Sequence, residues 1–248
     1  NDIRNKRDWS NANMHDVNMA VYTVDFENKD NRHVIKVKGR FAPNGKLWGT
    51  DVTIIYSVDI NGYIQTRYIG EFNGHAIPEE LPKIGTTMEV SKQLSDVTYC
   101  GFGPDECYND SKDYVKYGIY NLNYADMWFD YTKPQENGNR TDVMFAVLSN
   151  GTNGIVLASD KGKDFCVRDI TDETLSSTRH NCDITHEDYL VVNFDYINSG
   201  LGSGSCGPKA IRGCKAWAVA FDFEYVIAPI DAKEPIVEAR KAIDFMNK

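Results

Sequence analysis

Alternation of apolar and polar residues with a period of two constrains this chain more than any other feature. In Arg32–Phe41, the residues Ile35, Val37 and Phe41 alternate with Lys36, Lys38 and Arg40. In Asp51–Ile60, Val52, Ile54, Tyr56, Val58 and Ile60 alternate with Asp51, Thr53, Ser57 and Asp59. An extended strand turns successive side chains to opposite faces, so both segments predict strands with one buried and one wet face. Asn61-Gly62 follows at once, before Tyr63–Tyr68. Both residues tolerate positive φ, which predicts a hairpin closed by a type I′ turn.

Further strands are expected at Glu89–Cys100, Val143–Leu148, Gly154–Ala158, Tyr189–Tyr196 and Ala216–Ile227. In the last, Trp217, Val219, Phe221 and Phe223 fall on one face. Many antiparallel strands divided by turn residues predict sheets packed on sheets. Nothing reads as repeated βαβ units, which excludes a (β/α)-barrel or a dinucleotide-binding fold within this chain. Helical spacing is confined to the ends. Trp9, Ala12 and Val17 predict a helix between Asn5 and about Ala20. Pro235, with Ile236, Ala239, Ala242, Ile243 and Met246 at helical spacing, predicts a short C-terminal helix within a tail over 230–248. No linker or low-complexity segment divides the chain, so residues 1–248 are expected to form a single β-sandwich domain.

The net charge of −9 argues against a nucleic-acid partner, which needs a basic face against phosphates. No apolar run is long enough to cross a bilayer as a helix, and no signal peptide stands at Asn1. The missing start Met is expected to reflect a mature or trimmed N-terminus. Six cysteines, at 100, 107, 166, 182, 206 and 214, form no C-x-x-C pair and read as reduced or buried thiols. They are compatible with a bacterial cytoplasm or a periplasm, so compartment stays open. His180, Cys182 and His186 match no standard zinc spacing, so no metal or other cofactor is expected in this chain. Three N-x-S/T sequons, at Asn109, Asn139 and Asn150, carry no decision.

Three strings stand out as shaped loops: Tyr99–Tyr108 (YCGFGPDECY), Pro134–Thr141 (PQENGNRT) and Gly200–Pro208 (GLGSGSCGP). Each is dense in Gly, Pro and hydrogen-bonding residues, which serve tight turns or close approach to a ligand. Glu106 reads either as a ligand-binding carboxylate or as the buried acceptor that holds its loop closed. In the second string, Glu136, Asn137 and Arg140 suit sugar hydroxyls through planar, bidentate hydrogen bonds. The same groups also suit a self-satisfied loop. The third string lacks a phosphate-loop Lys or a following helix. It reads as a backbone approaching something closely, with Ser203, Ser205 and Cys206 at its tip. A catalytic Cys206 would need a His neighbour that the sequence does not place.

Taken together, Leu81-Pro82-Lys83-Ile84-Gly85, YCGFGPDECY, PQENGNRT, Leu175 to His180 and FDYINSGLGSGSCGP resemble, in order and approximate spacing, motifs of glycoside hydrolase family 2 β-galactosidases. Asn1-Asp2 resembles the end of the D-N-D segment that closes the family's W-R-A-P-T-D-N-D string. The similarity covers roughly Asn1 to Pro229 and points to the family's C-terminal β-domain. There are departures. The best-known bacterial members carry a Trp at the tip of the glycine-rich loop, where Cys206 stands here. Asn109-Asp110-Ser111-Lys112 replaces the usual Asp-Arg, and Val143-Met144-Phe145 lacks the usual Arg-Trp.

The resemblance implies an all-β fold, a large antiparallel supersandwich similar to galactose mutarotase, at the C-terminus of a multidomain enzyme. It implies that the chain begins after the domain's first strands. Retaining β-galactoside hydrolysis needs two carboxylates about 5–5.5 Å apart. In the family both are glutamates on a central (β/α)-barrel, so this chain is expected to be non-catalytic alone. Any Mg or Na that the parent enzyme uses would belong to the barrel domain. Expected partners are the remaining domains of that enzyme and the galactoside, with a homo-oligomer compatible. Asp2, Ser205 and Cys206 are expected to reach the sugar rim. The rival readings are a free-standing carbohydrate-binding module and a mutarotase-like epimerase working through a His and Glu pair.

Overall fold

The computed structural model describes residues 3–29, 31–203 and 207–246. Helix α1 (Ile3–Asn11) precedes strands β1 (Val17–Lys29), β2 (Arg32–Pro43), β3 (Trp48–Val58) and β4 (Ile64–Gly74). Two short strands, β5 (Glu80–Leu81) and β6 (Lys83–Ile84), lead into β7 (Thr87–Ser91), β8 (Asp96–Gly103) and β9 (Lys116–Asn123). Then come β10 (Arg140–Ser149), β11 (Asn153–Arg168), helix α2 (Asp172–Ser177), β12 (Tyr189–Asp195) and β13 (Ile197–Asn198). The chain closes with β14 (Ala216–Trp217), β15 (Phe221–Asp231) and helix α3 (Pro235–Met246).

The all-β expectation holds. Eleven strands form one antiparallel sheet, ordered β1-β2-β3-β4-β15-β11-β10-β8-β9, with β12 and β7 branching from β11. The branch makes the fold two-layered. The first half of β11 lies between β10 and β15, while Asp164–Arg168 pairs with β12. Register shifts on β10 at Arg140–Val143 and Val143–Phe145 mark the bend between the two halves.

The alternation read from sequence builds the inner face. Cross-strand partners align Val24, Val37, Ile54, Tyr68 and Phe223 in one row over β1, β2, β3, β4 and β15. The row runs from core to surface: Phe223 is 5% exposed and Val24 is 64% exposed. At its buried end it joins a core containing Tyr99, Phe165, Leu190, Phe194 and Tyr225. The outer face of the same strands is polar, with Arg40 to Asp51 at 2.8 Å and Arg67 to Asp222 at 2.6 Å. On the central strands, the other side is covered by α3. There Ala239 and Ala242, both fully buried, let the helix approach Val156, Ala158, Val226 and Ala228.

Several local expectations are corrected. The N-terminal helix ends at Asn11 rather than near Ala20. Asn13 takes a left-handed conformation (φ 60°) that a continuing helix cannot use, and Val17 opens β1 instead. The β1–β2 and β3–β4 hairpins form. The Asn61-Gly62 turn is not type I′, because only Gly62 has positive φ (82°) while Asn61 does not. The Asp59 carboxylate accepts from the backbone N–H groups of Asn61 and Tyr63, both at 2.9 Å, and closes the loop as an Asx turn. Glu89–Cys100 divides into β7 and β8 at a turn where Leu94 N–H donates to Ser91. Ala216–Ile227 divides likewise: β14 pairs with β5, and Val219, read as inward, is exposed. The C-terminal tail stays in β15 until Asp231 before turning helical.

Candidate functional site

The three motif loops converge. Glu106 holds the first string to the second: its carboxylate accepts from Gly138 N–H at 2.8 Å and from the Tyr131 hydroxyl. Cys107 N–H donates to Asn139 O at 2.8 Å, and Asn139 Nδ2 returns a bond to Cys107 O at 2.9 Å. Arg140 is 2% exposed and makes four hydrogen bonds to main-chain oxygens. Two go to Pro104 (3.0 and 2.7 Å), one to Met127 (3.1 Å) and one to Gly138 (2.8 Å). Asn137 is also buried, accepting from Phe129 N–H and donating to Gln135 O. The reading of Glu106 as the acceptor that closes its loop is the one the geometry matches. Arg140 and Asn137 occupy the self-satisfied arrangement that the sequence left open.

The third string is tied in by two acids. Asp164 Oδ2 accepts from Asn198 N–H at 2.6 Å and from Asn109 Nδ2 at 3.4 Å; its Oδ1 lies 3.4 Å from Asn139 Nδ2. Asp110 Oδ2 accepts from Gly202 N–H at 2.7 Å. Gly200 packs on the same carboxylate so closely that a Cβ there would lie 2.5 Å from Asp110 Cγ. On the far side, Ser199 Oγ donates to Leu81 O and accepts from Ala216 N–H.

Ser199, Gly200, Leu201 and Gly202 line a shallow polar depression of about 10 Å³, with Asn5, Glu80, Lys209, Ala210 and Lys215. That is room for a single water. The structure thus brings α1 beside the glycine-rich loop. Asp2, Ser205 and Cys206 lie outside the described residues.

Beside the loops sits a charged group of which the sequence reading singled out Glu136 alone. Glu136 is half-buried, and its Oε1 is buried without a hydrogen-bond partner. Lys83 bonds Asp172 at 3.1 Å, and Arg168 also pairs with Asp172. Burial pulls the Lys83 ammonium down, but the carboxylates of Asp195, Glu136 and Asp172 outweigh it and hold its pKa above the lysine value. Asp195 and Asp164 are cross-strand partners on β12 and β11, and burial pushes both carboxyls up to about 7. The signal for them was a carboxylate set in otherwise apolar strand text, as in Asp164-Phe165-Cys166-Val167.

A larger cleft of about 650 Å³ opens on the inner sheet face. Its walls include Trp48, Tyr56, Tyr68, Phe72, Phe221 and Tyr225; among the described residues that line it, Lys83 is the one charged side chain and there is no Asp, Glu or His. Among the described residues, no group of three or more His, Cys, Asp or Glu is placed to hold a metal. Of the zinc candidates, His186 Nδ1 lies 2.9 Å from Asp169 and Cys182 is an exposed thiol.

Residues 1–227 match the family described as β-galactosidase small chain. This chain belongs to that family. It is 25% identical over 230 residues to a β-galactosidase of Kluyveromyces lactis, covering 91% of this chain and 22% of that one. With a β-galactosidase of Actinobacillus pleuropneumoniae it shares 27% over 211 residues (84% and 20%). With that of Staphylococcus xylosus it shares 26% over 214 residues (84% and 21%). The chain therefore spans about a fifth of the length of these relatives, and a yeast is among their sources, so the family is not bacterial alone. A galactose mutarotase related enzyme from Lactobacillus acidophilus is similar at 5% identity, with coverage of 88% and 72%. Its TM-score of 0.27 carries no argument.

Proposed function

We propose that this chain is the non-catalytic C-terminal β-domain of a β-galactosidase that hydrolyses terminal β-D-galactosides. It completes the parent fold and supplies one rim of the substrate pocket, and the catalytic glutamates lie elsewhere in the parent. The observation that supports this most strongly is where the acids sit. Retaining hydrolysis needs an acid/base and a nucleophile facing one bond. Here Glu106, Asp110 and Asp164 accept hydrogen bonds that hold loops together, and no carboxylate is among the described residues that line the large cleft. Among the same described residues there is no His and Glu pair of the kind an epimerase of the mutarotase type would use.

Residues 1–248 act as one domain in this reading, with the remaining domains of the parent as partners. The apolar face of β1 supports such a partner: Val21, Val24 and Phe26, on the edge strand of the large sheet, are each more than half exposed and offer apolar surface for another domain to cover. The sugar-facing edge is the polar depression at Ser199–Gly202, where α1 and the glycine-rich loop meet. Deleting this segment from a parent enzyme should abolish nitrophenyl-β-galactoside hydrolysis; a truncated parent that keeps full activity contradicts the proposal.

A further inference from the structure

The glycine-rich loop leaves the sheet at Asn198, where its first backbone N–H meets a carboxylate instead of a strand carbonyl. That carboxylate, Asp164, is 4% exposed. Its contacts come from three different segments: Asn109 after the first string, Asn139 within the second, and Asn198 at the start of the third. All three donors are amides. Asn109 Nδ2 reaches Asn198 O as well, at 3.1 Å, so the same amide side chain joins the acid and the loop. The neighbouring Asp110 then grips Gly202, so two consecutive residues, 109 and 110, hold the loop base on one side. Asn139 has little freedom to adapt, since its Nδ2 also serves Cys107 and its Oδ1 is buried without a partner.

A buried carboxylate met only by neutral amides is an expensive fastener, because desolvation opposes its charge. A simple latch would do as well with Asn or Thr. What the carboxylate adds is acceptor capacity on both oxygens at once, which lets one side chain set three backbone paths relative to one another.

We propose that Asp164 is a positioning residue for galactoside binding: it sets the path of Asn198–Gly202, the segment that lines the polar depression. The proposal rests on the reading of that depression as the sugar-facing edge. Asp164 does not touch the sugar in this account; it acts through the Asn198 amide and, by way of Asn109, through the neighbouring Asp110–Gly202 bond.

The test uses the intact parent enzyme with Asp164→Asn, which keeps the shape but turns one acceptor into an N–H₂ facing other N–H groups. Misplaced rim contacts that bind ground and transition states alike raise KM and spare kcat. The expected result is a kcat/KM for nitrophenyl-β-galactoside lowered about tenfold, mostly in KM, in enzyme whose unfolding curve shows it folded at the assay temperature. A kcat/KM within twofold of the unaltered enzyme overturns the proposal. So does a loss that disappears once rates are normalised to folded protein, which would make Asp164 merely structural. Should Asp164→Asn fail to fold, Asp110→Ala releases Gly202 directly, and it too must raise KM about fivefold or more. Failure of the underlying reading looks different: the parent would then hydrolyse galactosides normally with this whole segment removed.

Discussion

Arg140→Ala is the substitution whose effect follows most directly from the geometry. The guanidinium reaches three main-chain carbonyls in three separate segments, those of Pro104, Met127 and Gly138. Truncation leaves the buried Met127 and Gly138 carbonyls without donors, each costing about 1–2 kcal/mol, while the Pro104 oxygen, on an exposed residue, keeps its contact with the Tyr99 hydroxyl. Loss of the buried stem adds about 1 kcal/mol, and relief of a desolvated charge offsets part of the total. The expected destabilisation is therefore about 3–4 kcal/mol, a large part of the 5–15 kcal/mol typical of a folded domain. Arg140→Met separates the contributions, since it keeps the stem and removes the donors; about 3 kcal/mol should remain. Equilibrium urea unfolding followed by tryptophan fluorescence reads both values. A loss below 1 kcal/mol for both variants, or a Met variant as stable as the unaltered chain, would refute the view of Arg140 as the loop fastener.

Stability should also respond to pH with a sign fixed by buried acids. Burial raises Asp164 and Asp195 to about 7, so the folded state holds their protons more tightly than the unfolded one. That stabilisation is fully present below about pH 4 and is lost as pH climbs through 7. Asp169 and Asp172 act in the opposite direction. Burial raises both carboxyls, but Lys92 and His186 at the first, and Lys83 and Arg168 at the second, outweigh it and hold them low, so their contribution disappears only below about pH 4. The unfolding free energy from urea titrations should thus fall between pH 5 and 8 by on the order of 5 kcal/mol for the two groups together, whereas a rise across that window contradicts the assignment. Gly200→Ala should push a methyl into the Asp110 carboxylate, destabilise the loop base by about 1–3 kcal/mol and speed hydrogen exchange at the Gly202 amide. Unchanged exchange would show that the loop base can yield.

How much of this was legible in the sequence depended on whether the signal was local. Alternation in Arg32–Phe41 and Asp51–Ile60 fixes strand type and inward face, because a period of two is a property of the strand itself. Helix α3 was legible from Pro235 and its 3.6-residue spacing for the same reason. Strand β1 was missed because the bulge at Val21–Thr23 breaks the alternation of its apolar residues, most of which lie exposed on an edge strand. Strand β9 gave no clear signal, having Tyr117 and Ile119 on its exposed side. The divisions at Lys92 and Val219 depend on which partner strand is available, and that is decided by tertiary pairing.

The site was legible in outline only. The three strings announced shaped loops, and the structure does bring them together. The residue that joins them, Asp164, lies in none of the three strings. No single-sequence rule says that an acid between Lys163 and Phe165 will face Asn109, Asn139 and Asn198 at once. Arg140 and Asn137 looked like sugar ligands because the same donors and acceptors serve a sugar or a backbone, and only burial tells these uses apart.

As proposed above, this chain contributes to β-galactoside hydrolysis without performing it. The most direct measurement is nitrophenyl-β-galactoside hydrolysis by the purified chain alone, then mixed with the separately produced remainder of the parent enzyme. The account predicts no turnover by the chain alone and turnover on mixing. Turnover by the chain alone would contradict it and direct attention to the acids and histidines of this chain for a catalytic pair.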